Sequence, residues 1–271
     1  MFRTRVITVA VLLPLFVGGM FFLPAGWWAA LLLPLLFAGA WEWAALAGFG
    51  RSGQWVFCLA VLVTGLCVFL GAHYLAFAAI EQAAYWMSVA FWLACAPPWL
   101  RFGWRVRQPL LLAVTGWLLI VPTWLALVRL QALPWVLLAV LGVMWIADTA
   151  AYFTGRVWGR RKLAPSISPG KTWEGVAGAA VAVAVYHALV WYFAFRGVTV
   201  ETGIFAALLV ACLLPLSVLG DLFESWIKRQ AGVKDSGKLL PGHGGVLDRI
   251  DALTPTLPLA ALVVPWLIER A

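Results

Sequence analysis

Residues 109–128 read PLLLAVTGWLLIVPTWLALV, a stretch of twenty amino acids without a charged side chain. A helix needs roughly 20 mostly apolar residues to cross the ~30 Å hydrocarbon core of a bilayer, so this stretch predicts a transmembrane helix. Pro122 lies inside it, and membrane helices tolerate proline because neighbouring helices or side chains satisfy the freed carbonyl group. We therefore expect a kink at this proline and not a break in the helix.

The same pattern recurs along the whole chain. Of its 271 residues, 64% are hydrophobic and 11% are charged, whereas soluble domains are about 45–50% apolar and about 25% charged. Apolar segments lie near residues 6–23, 27–48, 54–72, 83–100, 108–128, 134–154, 174–195, 203–222 and 252–269. The sequence thus predicts an all-α, polytopic membrane protein with about nine transmembrane helices. No small-residue cleavage site follows the first segment, so we expect a retained helix and not a signal peptide.

The basic residues are distributed unevenly over the two sides of this arrangement. When the connecting segments are assigned to alternate sides, 16 of the 19 Lys and Arg residues fall on one side, and Arg129, Arg196 and Arg270 on the other. Cytoplasmic loops carry the excess of Lys and Arg, so we expect a cytoplasmic N-terminus in the cell (inner) membrane. The formal net charge of +8 is mostly this asymmetry, and no nucleic-acid partner is predicted.

Two polar connections stand out, at residues 155–173 and 223–251. Both fall on the basic side and in the second half of the chain. We therefore divide the chain into N-terminal transmembrane spans at 1–130 and a C-terminal catalytic transmembrane region at 131–271. The active site is expected at the cytoplasmic face of the second region.

Tryptophan is abundant, with 18 residues in the chain. Several lie near predicted ends of spans, namely Trp27, Trp28, Trp99, Trp104 and Trp191. This placement is typical of an interfacial aromatic belt.

Charged residues cluster where the eighth apolar segment ends. If that segment continues as a helix, Asp221, Glu224, Ser225 and Lys228 form one polar stripe. An ionisable group at membrane depth suggests a functional site. The alternative is an ordinary salt bridge between Glu224 and Lys228 at i,i+4 spacing.

A second pair of carboxylates, Asp248 and Asp251, precedes the ninth apolar segment. Capping of the following helix explains one of them. If folding of the loop brings Asp248 towards Asp221, the pair suits Mg²⁺, which prefers a few carboxylates together with substrate phosphate oxygens. The cationic residues of the loop would then hold those phosphates.

Glycines concentrate between these two clusters, in Pro241-Gly242-His243-Gly244-Gly245. This stretch cannot be regular helix, and its glycines allow a backbone to approach a ligand and present N–H donors to an anion. His243 is either a phosphate donor, a proton carrier or simply a solvated side chain.

The earlier loop contains SISPGKT at residues 166–172, which is similar to a nucleotide-binding P-loop but fails its requirements. Pro165 stands where the first glycine is needed, and no strand pattern precedes it. What remains is a polar turn with Lys171 and a helix start near Thr172. Lys171 either contacts phosphate or extends towards the membrane surface beside a capped helix.

Two acidic residues lie inside predicted spans. Asp148 shares a helical face with Thr149 and Tyr152, and we assign it to the site because intramembrane carboxylates are costly. Glu42, between two tryptophans, remains ambiguous.

Residues 225–251, SWIKRQAGVKDSGKLLPGHGGVLDRID, closely resemble the signature of the phosphatidate cytidylyltransferases, also called CDP-diacylglycerol synthases. The shared positions include K-R, K-D, H-G-G and D-R-x-D. Residues 168–175 (SPGKTWEG) and the DTAAY that begins at Asp148 are also similar to that family. The first hundred or so residues match it only as hydrophobic spans.

This resemblance implies an enzyme of phospholipid biosynthesis. Its members transfer the cytidylyl group of CTP to phosphatidic acid, giving CDP-diacylglycerol and pyrophosphate, with Mg²⁺, a K⁺ ion as second metal, and a homodimer. The implied catalytic residues are Asp221, Asp248, Lys228 and Arg229, and the implied metal ligands are Asp221, Asp248, Asp251 and Glu224. The implied substrate-binding residues are Asp148, Ser168, Lys171, Thr172, Lys234, Asp235, His243, Gly244, Gly245 and Arg249.

Three other classes of protein remain as alternatives. A transporter or channel would use Asp148, Asp221 and Glu42 along an ion pathway, but the polar residues concentrate at one face and no half of the chain is repeated. A CTP-dependent lipid kinase would use similar groups on an alcohol, and it would need a base for that alcohol. A membrane scaffold does not account for five carboxylates in one loop region.

Overall fold

The computed structural model describes residues 2–71, 74–194, 198–239, 242 and 244–269, with the side chains of 2–7 excepted. The helices are α1 (Phe2–Phe22), α2 (Ala25–Leu46), α3 (Arg51–Gly71), α4 (Leu75–Ala90), α5 (Ala96–Phe102), α6 (Pro109–Leu130), α7 (Pro134–Trp158), α8 (Trp173–Ala194), α9 (Val200–Gln230), α10 (Leu247–Ile250) and α11 (Leu253–Ile268). A π-helical turn, Phe91–Cys95, joins α4 to α5. Two short strands, β1 (Lys162–Ala164) and β2 (Ser168–Thr172), connect α7 to α8.

The prediction of a polytopic, all-α membrane protein is confirmed. In the described part of the chain, six helices are long and apolar enough to cross a membrane, namely α2, α3, α6, α7, α8 and α9. The apolar parts of the first and last helices, Thr8–Phe22 and Leu253–Ile268, are shorter. The predicted number of nine spans is therefore not confirmed, although a helical segment lies at each predicted position. The division at residues 130 and 131 remains a prediction.

The connection between α7 and α8 contains the β-structure that the sequence did not reveal. Strands β1 and β2 pair antiparallel, with Lys162 opposite Thr172 and Ala164 opposite Ser168. Strands of three and five residues are too short to show a reliable alternating pattern. The sequence therefore indicated only a polar turn. The hairpin places Lys171 on β2, immediately before α8.

Two of the tryptophans predicted for an interfacial belt lie instead in the core. Trp28 is completely buried, and its Nε1 donates to the carbonyl oxygen of Leu127 at 3.1 Å. Trp99 is 3% exposed and packs edge-on against Phe223 of α9. A tryptophan near the end of a span can equally fill a gap between helices, and only the packing decides between the two positions. Trp27, which is 70% exposed, fits the belt.

Helix α9 is held to the segment before α6 at the end where its charged stripe lies. Trp226 Nε1 donates to the carbonyl oxygen of Trp104 at 3.0 Å, and Gln230 Nε2 donates to that of Val106 at 2.6 Å. Helix α11 packs against α4, α6 and α9. The end of α9 therefore has a fixed position relative to the first half of the chain.

Gly116→Ala is expected to destabilise the contact between α2 and α6. The ring of Trp43 lies against Gly116 with no room for a β-carbon, and its Nε1 donates to the carbonyl oxygen of Leu112 at 2.8 Å. Overpacking of this kind costs about 1–3 kcal/mol. Thermal unfolding in detergent would measure the loss. Gly26→Ala is the matched control, because no atom lies within 4 Å of its β-carbon position; equal stability of the two variants would contradict the prediction.

Candidate active site

A cavity of about 560 Å³ lies between α7, α8, α9 and the β-hairpin. Its polar lining consists of Asp148, Tyr152, Arg156, Lys162, Ser168, Lys171, Thr172, Ser217 and Asp221. Apolar side chains of α9, such as Leu214 and Val218, line the part of the cavity further from the charged end of that helix. One cavity thus presents both charged and apolar surface, and it contains four of the predicted substrate-binding residues together with Asp221.

Helices α7 and α8 meet beside this cavity through small residues. A β-carbon on Gly155 would lie 2.9 Å from the hydroxyl oxygen of Thr172, and a β-carbon on Gly175 would lie 2.9 Å from the carbonyl oxygen of Ala151. Thr154 occupies the space beside Gly178. The hydroxyl of Thr172 accepts a hydrogen bond from the N–H of Gly175 at 3.1 Å and caps α8. The close contact fixes the hairpin over the end of α7.

Lys171 and Asp221 form an ion pair across the cavity. Their side chains are 24% and 32% exposed, so solvent reaches both of them. A partly exposed pair of this kind adds about 0–1 kcal/mol to stability, so stability alone does not account for it. The pair presents a cation and a carboxylate to any ligand in the cavity.

The predicted stripe on α9 is confirmed, because the helix continues to Gln230. Lys228 Nζ lies 2.7 Å from Glu224 Oε2, as the salt-bridge alternative required. The same ammonium group lies 2.6 Å from Asp248 Oδ1, twenty residues further along the chain. Lys228 therefore joins the helix to the end of the glycine-rich loop, with its side chain only 11% exposed.

Asp248 is surrounded by donors. Its Oδ2 accepts hydrogen bonds from the N–H of Ser236 at 3.0 Å and from the N–H of Gly245 at 2.8 Å. Burial opposes ionisation of this carboxyl, but the hydrogen bonds from Lys228 and from the two amides outweigh burial and lower its pKa below the ordinary value. Asp248 thus folds the loop onto α9.

Gly244 lies against the side chain of Asp248, at a position that requires glycine. Gly244 has a φ of +81°, and a β-carbon on it would lie 2.6 Å from Asp248 Oδ2. A side chain at this position would be strained and would also push the carboxylate aside.

Asp251 lies among other carboxylates. Burial, followed by the nearby charges of Asp221 and Glu224, raises its pKa well above the ordinary value, with a smaller contribution from Asp148. Such repulsion is what a bound cation relieves. In addition, Glu224 Oε1 is buried, and no donor in the described part of the chain reaches it.

The available side chains suit Mg²⁺, because the candidate metal ligands are all carboxylate oxygens. The described residues do not contain three or more acidic, His or Cys side chains in metal-ligating geometry. Asp221 is paired with Lys171, whereas Asp248 is joined to Glu224 through Lys228. The metal role of Asp221, Asp248, Asp251 and Glu224 remains a prediction.

The other predicted residues belong to the end of α9 and to the segment that follows it. Arg229 is exposed and donates to the carbonyl oxygen of Val233 at 3.2 Å. Lys234 and Asp235 are exposed on the loop, and the charge of Arg249 acts on Asp148. His243 lies outside the described residues.

Several residues near the site carry little or no functional signal in the sequence. Lys162 and Arg156 line the cavity, although the sequence showed them only as part of a basic run on the predicted cytoplasmic side. Ser236 carried no signal of its own. Glu42 did carry one, as an acidic residue inside an apolar helix, and the structure places it against the loop that contains Asp248.

The fold and the cavity define a polytopic membrane protein with a charged site at one end of its helices. Residues 3–267 match the model of the Cytidylyltransferase family, and the chain belongs to that family. It is 40% identical to the phosphatidate cytidylyltransferase of Pseudomonas aeruginosa, over 97% of both chains. It is 34% identical to that of Haemophilus influenzae, over 95% of this chain and 96% of the relative. With that of Brucella suis it shares 49% identity over 121 residues, 44% of this chain and 43% of the relative.

Proposed function

We propose that this protein transfers the cytidylyl group of CTP to phosphatidic acid, giving CDP-diacylglycerol and pyrophosphate. The observation that carries this proposal is the cavity between α7, α8 and α9, which combines basic side chains, carboxylates and an apolar wall. The reaction needs these features together, because a lipid phosphate and a nucleoside triphosphate must meet at the membrane surface. The names of the full-length relatives agree with this reaction.

In the proposed reaction, an oxygen of the lipid phosphate attacks the α-phosphorus of CTP. The bond between the α-phosphorus and the bridging oxygen breaks, and pyrophosphate leaves with that oxygen. The lipid phosphate is already an anion at neutral pH, so no strong general base is required. Lys171, which lines the cavity, would neutralise charge on the phosphates as the leaving group departs, and we assign the same role to Lys228.

Asp221, Asp248, Asp251 and Glu224 are the residues that would hold Mg²⁺. A bound Mg²⁺ would supply Lewis-acid polarisation of the phosphate oxygens. Lys171 offsets the charge of Asp221, and Lys228 offsets the charges of Glu224 and Asp248. The K⁺ ion and the homodimer implied by the resemblance remain predictions, which activity in K⁺-free buffer and cross-linking in membranes would test.

We further propose that the charged end of the helices faces the cytoplasm, in the cell (inner) membrane. The excess of Lys and Arg on that side supports this orientation. CTP is a cytosolic nucleotide, so the cavity would be open to its supply. Attachment of a membrane-impermeant reagent to a single cysteine introduced at Lys238, in sealed vesicles of known orientation, would test it.

The decisive experiment is an assay of the purified protein in detergent with CTP, phosphatidic acid and Mg²⁺, omitting each in turn. We expect pyrophosphate release that needs all three components, and CDP-diacylglycerol identified by its mass. A lipid kinase would phosphorylate an alcohol and release CDP instead of pyrophosphate. Ion uptake by proteoliposomes without CTP, in the absence of any lipid product, would favour the transporter and overturn the proposal.

Lys171→Gln is expected to lower kcat/KM for CTP about 10- to 100-fold, the scale of a lost hydrogen bond to a charged group. The half-saturating Mg²⁺ concentration should not rise, because the substitution leaves Asp221 without its cationic partner and so makes the site more negative. Lys238→Gln, at an exposed position of the second loop, is the matched control. Unchanged kcat/KM in Lys171→Gln would remove this residue from the phosphate site.

A further inference from the structure

Glu42 lies inside α2 with 6% of its surface exposed. It belongs to the N-terminal half of the chain, far in sequence from the signature at residues 225–251. A carboxyl group at such a position is costly unless donors satisfy its oxygens. Its donors come from the loop that contains Asp248, between 194 and 205 residues further along the chain.

Both oxygens of Glu42 accept hydrogen bonds from this loop. Oε2 accepts from the hydroxyl of Ser236 at 2.9 Å and from the N–H of Leu247 at 2.9 Å. Oε1 accepts from the N–H of Val246 at 3.0 Å. All three donors are uncharged, and two belong to the backbone. The contact therefore fixes the course of the chain and is not an ordinary ion pair.

The contacts of Glu42 continue directly to Asp248. The hydroxyl of Ser236 donates a hydrogen bond to Glu42, and its N–H donates one to Asp248 Oδ2. The oxygen of the same hydroxyl accepts a hydrogen bond from the N–H of Asp248 at 3.4 Å. Gly245, the residue before Val246, donates its N–H to the same Asp248 oxygen. Two segments of the loop are thus held between Glu42 on one side and Asp248 on the other.

The packing around Glu42 leaves little freedom for movement. A β-carbon on Gly237 or on Gly245 would overlap the Glu42 carboxylate. One turn earlier in α2, a β-carbon on Gly39 would lie 3.6 Å from the side chain of Leu247 and 3.8 Å from that of Ile250. The loop and α10 consequently lie directly on α2.

We propose that Glu42 is a positioning residue, which anchors Ser236 and residues 246–248 to α2 and thereby holds Asp248 against Lys228. Its catalytic consequence rests on the proposed function. Glu42 does not line the cavity proposed for the substrates, so its loss should disturb the geometry of the site and leave substrate binding largely intact.

Glu42→Gln tests this role. The amide nitrogen that replaces one oxygen would face an N–H or O–H donor, so part of the anchor is lost. We expect kcat to fall about 10- to 100-fold, the scale of losing a group that orients a ligand residue, with KM for both substrates little changed. Amide hydrogen exchange measured by mass spectrometry should accelerate across residues 236–248.

Glu81→Gln is the matched control, because Glu81 is also buried in the N-terminal half, at 9% exposure, and accepts a hydrogen bond from Tyr85 at 2.6 Å. It should leave both kcat and exchange in the loop unchanged. Glu42→Asp, which retains the carboxylate one methylene shorter, should recover part of the lost turnover. Ser236→Ala removes one of the three donors and tests the same anchor should Glu42→Gln not fold.

Unchanged exchange across residues 236–248 in both Glu42→Gln and Ser236→Ala would overturn the anchor. A fall in kcat as large in Glu81→Gln as in Glu42→Gln would also overturn it, since the effect would then be general destabilisation. The exchange measurement needs no substrate. Failure of the wild-type protein to form CDP-diacylglycerol would therefore overturn the proposed function while exchange still decides the anchor.

Discussion

Asp248→Asn is expected to lower turnover by at least about 10²- to 10³-fold, the scale of losing an electrostatic group at a reacting centre. The native carboxylate faces donors on both oxygens, with Lys228 on Oδ1 and two backbone amides on Oδ2. An asparagine has nearly the same shape, but whichever way its amide turns, an NH₂ group meets one of these donors. The variant also loses the negative charge that offsets Lys228.

The test is pyrophosphate release by variants that have been purified in equal yield. Asp221→Asn should show a similar loss, because Asp221 is the carboxylate paired with Lys171 at the cavity. Glu269→Gln, at the far end of α11, is the control for a lost acidic side chain. Near-normal turnover in both aspartate variants would remove them from the proposed metal site.

Lys228→Met is expected to reduce both stability and turnover. Lys228 is the common partner of Glu224 and Asp248, and the pair with Glu224 is almost completely enclosed. Removing one member of a buried pair leaves an uncompensated charge, which typically costs 3–5 kcal/mol. Methionine retains the length and apolar stem of the side chain, so the loss reports on the charge and not on packing.

The double variant Lys228→Met/Glu224→Gln separates the two effects. Removing the Glu224 charge should restore part of the stability, because only Asp248 then lacks its cation. Turnover should stay low, since neither the ammonium group nor the Glu224 carboxylate is recovered. Thermal unfolding in detergent and pyrophosphate release would be measured side by side. A Lys228→Met variant as stable as the wild-type protein would show that solvent already screens the charges.

Local patterns in the sequence were sufficient for the features that depend on nearby residues. Uninterrupted apolar runs such as 109–128 predict membrane helices because backbone groups in a bilayer must be satisfied within the segment itself. The stripe from Asp221 to Lys228 follows from helical spacing alone. The signature at 225–251 led to the correct family because its residues are contiguous.

Some local features were nevertheless predicted wrongly or not predicted at all. Trp28 and Trp99 are buried between helices and do not belong to an interfacial belt. The β-hairpin that carries Lys171 has strands too short for a recognisable alternation. In both cases the sequence gives the side chain, and the neighbours that decide its environment come from elsewhere in the chain.

The sequence by itself therefore determined the class of fold, the family and most of the charged residues proposed for the site, because each depends on composition or on residues close along the chain. Apart from the i,i+4 pair of Glu224 with Lys228, tertiary structure decided which charges are partners. Lys171 reaches Asp221, Lys228 joins Glu224 to Asp248, and Glu42 holds the loop from about two hundred residues away. Such pairings depend on how helices pack against one another, and a single sequence contains no local pattern that records that packing.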